Sequence, residues 1–174
     1  MALSTIGTNS IANDAVTKDK ITGINVPAFK ALRGSAQTIS DETSTVVIFD
    51  TEIYDTDSAY DNSNGIFTVP SGKGGKYLIT VTGGINSSAD INATNFWISK
   101  NNQTAISTTT GQSAGIEFKH DGNPVQNQAQ QVAGQFTLAA TDTIRIYTWQ
   151  NYGGNRDLAT GGRMIVAGFR IADE

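Results

Sequence analysis

Apolar and polar residues alternate with period two in short stretches along residues 26–174, each stretch bounded by turn-forming residues. Tyr77, Ile79 and Val81 fall on one face of a predicted strand, with Leu78, Thr80 and Thr82 on the other. Phe96 and Ile98 alternate with Trp97 and Ser99 up to the turn-prone pair Asn101-Asn102. Val132, Gly134, Phe136 and Leu138 form another such set, and Ile144 and Ile146 oppose Arg145, Tyr147 and Trp149. Val46-Val47-Ile48-Phe49 is a compact apolar run that reads as a strand. Ile66-Phe67-Thr68-Val69 follows the turn Asp61-Asn62-Ser63-Asn64-Gly65, and Met164 to Ile171 supplies the last strand. No segment of a dozen residues carries a helical stripe. The pattern predicts an all-β sandwich or barrel.

Several of these strands are apolar or aromatic on both faces, whereas a two-sheet sandwich needs only one inward face per sheet. The surplus predicts a second burial surface between copies of the chain, with Tyr77, Ile79, Tyr147 and Trp149 as its candidate residues. Residues 1–25 have a different texture. They are rich in Ser, Thr, Asn and Asp, and Leu3, Ile6, Ile11, Val16 and Ile21 stand singly at gaps that fit neither helix nor strand. Such a segment buries little surface alone, so it is either a disordered tail or a docking arm that orders against a larger assembly. The chain divides into an arm, 1–25, and one domain, 26–174.

Composition narrows the function. The net charge is −4, and the 12 Lys and Arg residues are scattered rather than clustered, which argues against nucleic-acid binding. The absence of cysteine removes disulfides, zinc–thiolate sites and thiol nucleophiles, and fits synthesis in a reducing cytoplasm. The N-terminus lacks the pattern of a secretory signal. No stretch approaches the roughly 20 apolar residues of a membrane helix, so membrane insertion is not expected.

Catalytic signatures are sparse. The single histidine, His120, precedes Asp121 in a turn-prone stretch, where a solvated loop side chain is the ordinary outcome. Gly72-Lys73-Gly74-Gly75-Lys76 leads into a strand rather than a helix, so it reads as a hairpin loop and not a phosphate loop. Asp50, Asp55, Asp57 and Asp61, with Glu52, are candidate calcium ligands, because hard cations take several oxygens from one flexible region; a solvated acidic loop is the simpler reading. No other cofactor is expected. Asn86, Asn92 and Asn102 begin formal glycosylation sequons that read more simply as turns. Trp97, Tyr147, Trp149 and Tyr152 are candidate platforms for sugar rings, against the commoner role of strand aromatics in cores and interfaces.

The order of segments resembles the globular domain of the complement C1q and tumour necrosis factor superfamily. Pro27-Ala28-Phe29-Lys30-Ala31 is similar to its first strand and Val47-Ile48-Phe49-Asp50 to its second. Tyr60-Asp61 with Gly65-Ile66-Phe67-Thr68-Val69-Pro70 resembles its central signature, and Gly75-Lys76-Tyr77 the strand that follows. Trp97 to Asn101, Leu138 to Ile144 and Ala167-Gly168-Phe169-Arg170-Ile171 complete the order. The resemblance implies a ten-strand jelly roll that packs as a homotrimer. The chain departs from the pattern in a longer loop at 71–75 and in residues 103–131. Residues 3–22, with Asn13-Asp14-Ala15-Val16-Thr17 and Asp19-Lys20-Ile21, resemble segments of tailed-phage fibre and particle proteins. That likeness implies a protein on a virion surface, made in the host cytoplasm, and the lack of catalytic signatures implies that it is not an enzyme. It would dock on capsid or tail components as a capsid decoration protein, or act as a short fibre for host attachment, with host surface glycan as a partner. The alternative is a cellular C1q-like lectin or ligand-binding module.

Overall fold

Alternation of buried and exposed side chains along long strands builds the protein's architecture. The structure is a computed structural model that describes residues 26–86, 93–106, 111–119 and 129–173; the arm at 1–25 and His120 lie outside the described residues. The strands are β1 (Ala28–Arg33), β2 (Thr38–Ile39), β3 (Thr45–Val46), β4 (Thr51–Asp55), β5 (Tyr60–Asp61), β6 (Ile66–Thr68) and β7 (Gly75–Asn86). They continue as β8 (Ala93–Lys100), β9 (Ser113–Lys119), β10 (Ala129–Leu138), β11 (Thr143–Asn151), β12 (Arg156–Leu158) and β13 (Gly161–Ala172). No helix occurs among the described residues. The all-β expectation holds, and the count exceeds ten through pieces of two or three residues.

The larger sheet runs β2-β12-β7-β13-β1-β4, with β10 also paired to β7; the smaller runs β5-β6-β11-β8-β9, with β3 on β11. All pairings are antiparallel. Between the sheets lie Tyr77, Ile79, Val81, Val132, Phe136 and Val166 from one side and Phe67, Phe96, Ile98, Ile144 and Ile146 from the other. Phe29 sits in this core with its ring stacked on Tyr60 at 5.1 Å and on Phe67 at 4.5 Å.

Two expectations need correction. The run from Val47 to Asp50 is not a strand, because it crosses from β3 in the smaller sheet to β4 in the larger. Val47 and Phe49 are buried nonetheless. With no ladder along this crossing, other groups serve its backbone: Val47 N–H donates to the Ile146 carbonyl, Ile48 N–H to Gln37 Oε1, and the Arg33 guanidinium to the Ile48 carbonyl. The glycine-rich loop at 71–75 is likewise not a hairpin, since it joins β6 in one sheet to β7 in the other.

Gly65 ends the turn before β6 with φ of 65°, and its N–H donates to the Asp61 carbonyl at 2.8 Å. A Cβ there would stand 2.7 Å from the Val47 carbonyl oxygen. Gly65→Ala therefore combines left-handed backbone strain with a backbone clash, and is expected to cost about 1–3 kcal/mol. A thermal midpoint unchanged from the parent would show that this turn has room to relax.

Candidate functional site

Among the described residues, the outward face of the larger sheet leaves several large apolar side chains uncovered. Antiparallel register aligns its side chains in rows across the strands. One row is Ala28, Phe169, Leu78 and Gln135; the next is Tyr54, Lys30, Ala167, Thr80 and Ala133; a third is Leu32, Ile165, Thr82 and Gln131. Lys30 is the only charged residue in these three rows. Phe169 is 46% exposed and Tyr54 47%, and Ile171 continues the apolar stripe beyond Phe169. Large apolar side chains gathered on one exposed sheet face are the kind of surface that a partner covers.

This placement corrects the residue choice made from the sequence. Tyr77 and Ile79 point into the subunit's own core at 0% exposure, so they have no surface to offer a partner; the surplus on β7 is Leu78. Tyr147 faces outward from the smaller sheet but is only 3% exposed. Its ring stacks on Trp97 at 5.3 Å, and its hydroxyl donates to Asn102 Oδ1. Trp149 lies beside them, half-buried on the smaller sheet, away from the apolar face described above. Phe169, Leu78, Ile165, Leu32 and Tyr54 were missed. The parity of Met164, Val166 and Gly168 against Ile165, Ala167 and Phe169 was the available signal.

Among the described residues, no three His, Cys, Asp or Glu side chains converge as metal ligands. Four of the carboxylates instead brace turns, Asp50 one that is distant in sequence. Asp50 accepts from Gly34 N–H at 2.6 Å and Ser35 N–H at 3.0 Å, Asp55 from Tyr60 N–H at 2.6 Å, and Asp61 from the Ser63 and Asn64 side chains, both at 2.6 Å. Asp57 accepts from Thr56 Oγ1 at 2.7 Å. Partial burial pushes the Asp50 carboxyl up, but the hydrogen bonds from Gly34, Ser35 and Thr51 outweigh it and hold the pKa at about 2. Asp61 is held at about 2 by Ser63 and Asn64. Folded pKa values below the ordinary 3.8 mean that this stabilisation is present above pH about 4 and is lost as pH falls towards 2. Asp50→Asn is therefore expected to flatten the loss of stability between pH about 4 and about 2; an acid limb identical to the parent's would contradict the bracing role.

Among the described residues no helix is long and apolar enough to cross a membrane. The lysine of the glycine-rich loop lies in a turn, with Lys73 N–H donating to the Pro70 carbonyl at 3.1 Å and the Lys73 carbonyl accepting from Tyr77 Oη–H at 2.6 Å. No helix N-terminus follows it, so nothing there cradles a phosphate.

Residues 28–123, more than half of the chain, match the family model of the C1q domain. The chain belongs to the C1q domain family. Solved structures agree on the fold. The globular domain of zebrafish complement 1qA superposes with a TM-score of 0.55 at 19% identity, covering 85% of this chain and 99% of that one. Murine APRIL gives 0.57 at 14% identity, covering 84% and 100%, and the Eiger TNF of S. frugiperda gives 0.53 at 14%, covering 86% and 94%. No curated protein matches significantly in sequence. Within this C1q domain, in the segment from Tyr60 to Pro70, Gly65 sets the turn and Phe67 enters the aromatic core.

Proposed function

We propose that this C1q domain acts as a homotrimer, a non-enzymatic module that binds or covers a surface, and that residues 1–25 anchor it to a bacteriophage particle. The apolar outward face of the larger sheet carries the trimer reading: Phe169, Leu78, Tyr54, Leu32 and Ile165 need a cover, and a second and third copy supply it. Homotrimers are typical of C1q domains. Cyclic symmetry gathers the three arms and multiplies the weak contacts of Leu3, Ile6, Ile11, Val16 and Ile21 with capsid or tail components. The likeness of residues 3–22 to phage particle proteins supports a virion-surface location, after synthesis in the host cytoplasm. The module then serves as a capsid decoration protein or as a short fibre that attaches to host surface glycan.

Mixing the purified protein with empty capsids and with host cells tests this reading. Binding to capsids that is lost on deleting residues 1–25 supports decoration, and binding to cells supports the fibre role. Binding to neither sinks both. A cellular ligand-binding module is the second reading, favoured by the fold shared with complement 1qA, APRIL and Eiger. Coding among capsid and tail genes would dispose of it.

A further inference from the structure

The turn between β5 and β6, Asp61-Asn62-Ser63-Asn64-Gly65, carries reactive chemistry of its own. Asn64 is the one asparagine of the sequence followed directly by glycine. That order sets an electrophile beside a nucleophile: the backbone nitrogen of the glycine, on losing its proton, attacks the side-chain carbonyl carbon of the asparagine and closes a cyclic imide. Glycine has no Cβ to obstruct the approach. Asn64 is exposed, so water and base reach its side chain.

The folded turn withholds both reactants. Gly65 is buried, and its N–H donates to the Asp61 carbonyl at 2.8 Å, so the nitrogen keeps its proton. The Asn64 carboxamide is drawn back along the chain, with Nδ2 donating to Asp61 Oδ2 at 2.6 Å and to Ser63 Oγ at 3.2 Å. Asp61 Oδ1 is itself fixed by Ser63, whose N–H donates at 2.9 Å and whose hydroxyl donates at 2.6 Å. Asp61 therefore holds the nucleophile through its backbone carbonyl and the electrophile through its carboxylate.

We infer that Asn64 is a self-modification site kept latent by Asp61, one that deamidates when the turn opens and thereby weakens its closing. The reaction balances with water as the only co-reactant. Gly65 N gives its proton to solvent base and bonds to Asn64 Cγ; the Cγ–Nδ2 bond breaks, and Nδ2 leaves as ammonia. Water then opens the imide at either carbonyl, giving aspartate or isoaspartate. Both products strain the turn. Aspartate puts a carboxylate where a donor stood 2.6 Å from Asp61 Oδ2, so like charges face each other. Isoaspartate reroutes the main chain through the side-chain carbons and lengthens it just before Gly65, where an added Cβ would already stand 2.7 Å from the Val47 carbonyl oxygen. The strands joined here pair Tyr60 with Phe67, and Phe67 stacks on Phe29, so damage to the turn reaches the core. The inference is independent of oligomeric state and of any virion location.

The test is peptide mapping by mass spectrometry after incubation in mildly alkaline buffer, with a synthetic peptide of residues 58–69 in the same buffer as the open reference. Deamidation at Asn64 in the folded protein is expected to be at least about ten-fold slower than in the peptide, because only the opened fraction reacts. Asp61→Ala, checked for unchanged circular dichroism, should raise the rate in the protein at least about three-fold. Asn64→Asp, which installs one product directly, should lower the thermal midpoint at neutral pH. That deficit should shrink as pH falls, because facing carboxylates titrate at a raised pKa in the folded state and protonation removes their repulsion. Equal rates in protein and peptide, an unchanged rate in folded Asp61→Ala, or an Asn64→Asp midpoint equal to the parent's at neutral pH would each overturn the inference. If Asp61→Ala does not fold, the parent-to-peptide ratio and the Asn64→Asp midpoint decide it.

Discussion

Phe169→Asp is expected to convert the protein from trimer to monomer at micromolar concentration while leaving its β-sheet circular dichroism intact. Within one subunit Phe169 is 46% exposed and faces away from the core, so a carboxylate there remains solvated and the fold does not depend on the ring. In the proposed trimer the same position is buried against another copy, beside Leu78 and Ala28 in one cross-strand row. The change removes a large apolar contact and places an unpaired charge under the cover. Central aromatic anchors cost about 2–4 kcal/mol when truncated, and the penalty recurs at every interface of a cyclic assembly. Association should weaken by at least about 30-fold per interface. Loss of folded signal would instead mean that Phe169 belongs to the subunit's own core.

Phe29→Ala is expected to have the opposite signature, a loss of stability of about 3–5 kcal/mol, the range for removing a buried phenyl ring. Phe29 stacks between Tyr60 and Phe67 and also fills the space that the missing side chain of Gly168 leaves on β13. Three strands and the central turn motif therefore lose a shared contact at once, and neighbouring rings are too rigid to close the void. Urea unfolding at one fixed protein concentration, needed because association would shift the midpoint, measures the effect. A loss below about 1 kcal/mol would show that the aromatic cluster repacks around the hole.

The strands were legible because alternation is a local property. Tyr77, Ile79 and Val81 share a face in any register, and so do Ile144 and Ile146. Periodicity assigns side chains to two faces without saying which face looks inward when both are apolar. That is why Tyr77 and Ile79, rather than Leu78, were placed at an interface. On β13 the inward position belongs to Gly168 and the outward one to Phe169, an inversion of the usual preference explained by Ile79 from β7 and the ring of Phe29 from β1, which fill the space beside Gly168. Tyr147 was correctly turned outward, yet its exposure depends on residues 102–106 folding back over the sheet, a non-local event invisible in spacing. The acidic residues left a calcium reading beside the simpler one of a solvated loop. Proximity in sequence suggested shared coordination, whereas Asp50, Asp55 and Asp61 cap the nearest backbone amides or side chains first.

The most direct test is the solution mass of the unmodified protein by sedimentation velocity across low to high micromolar concentrations. A single species at three times the chain's 18.4 kDa is expected. A stable species at one chain mass throughout that range would contradict the claim that the apolar outward sheet face is buried between copies.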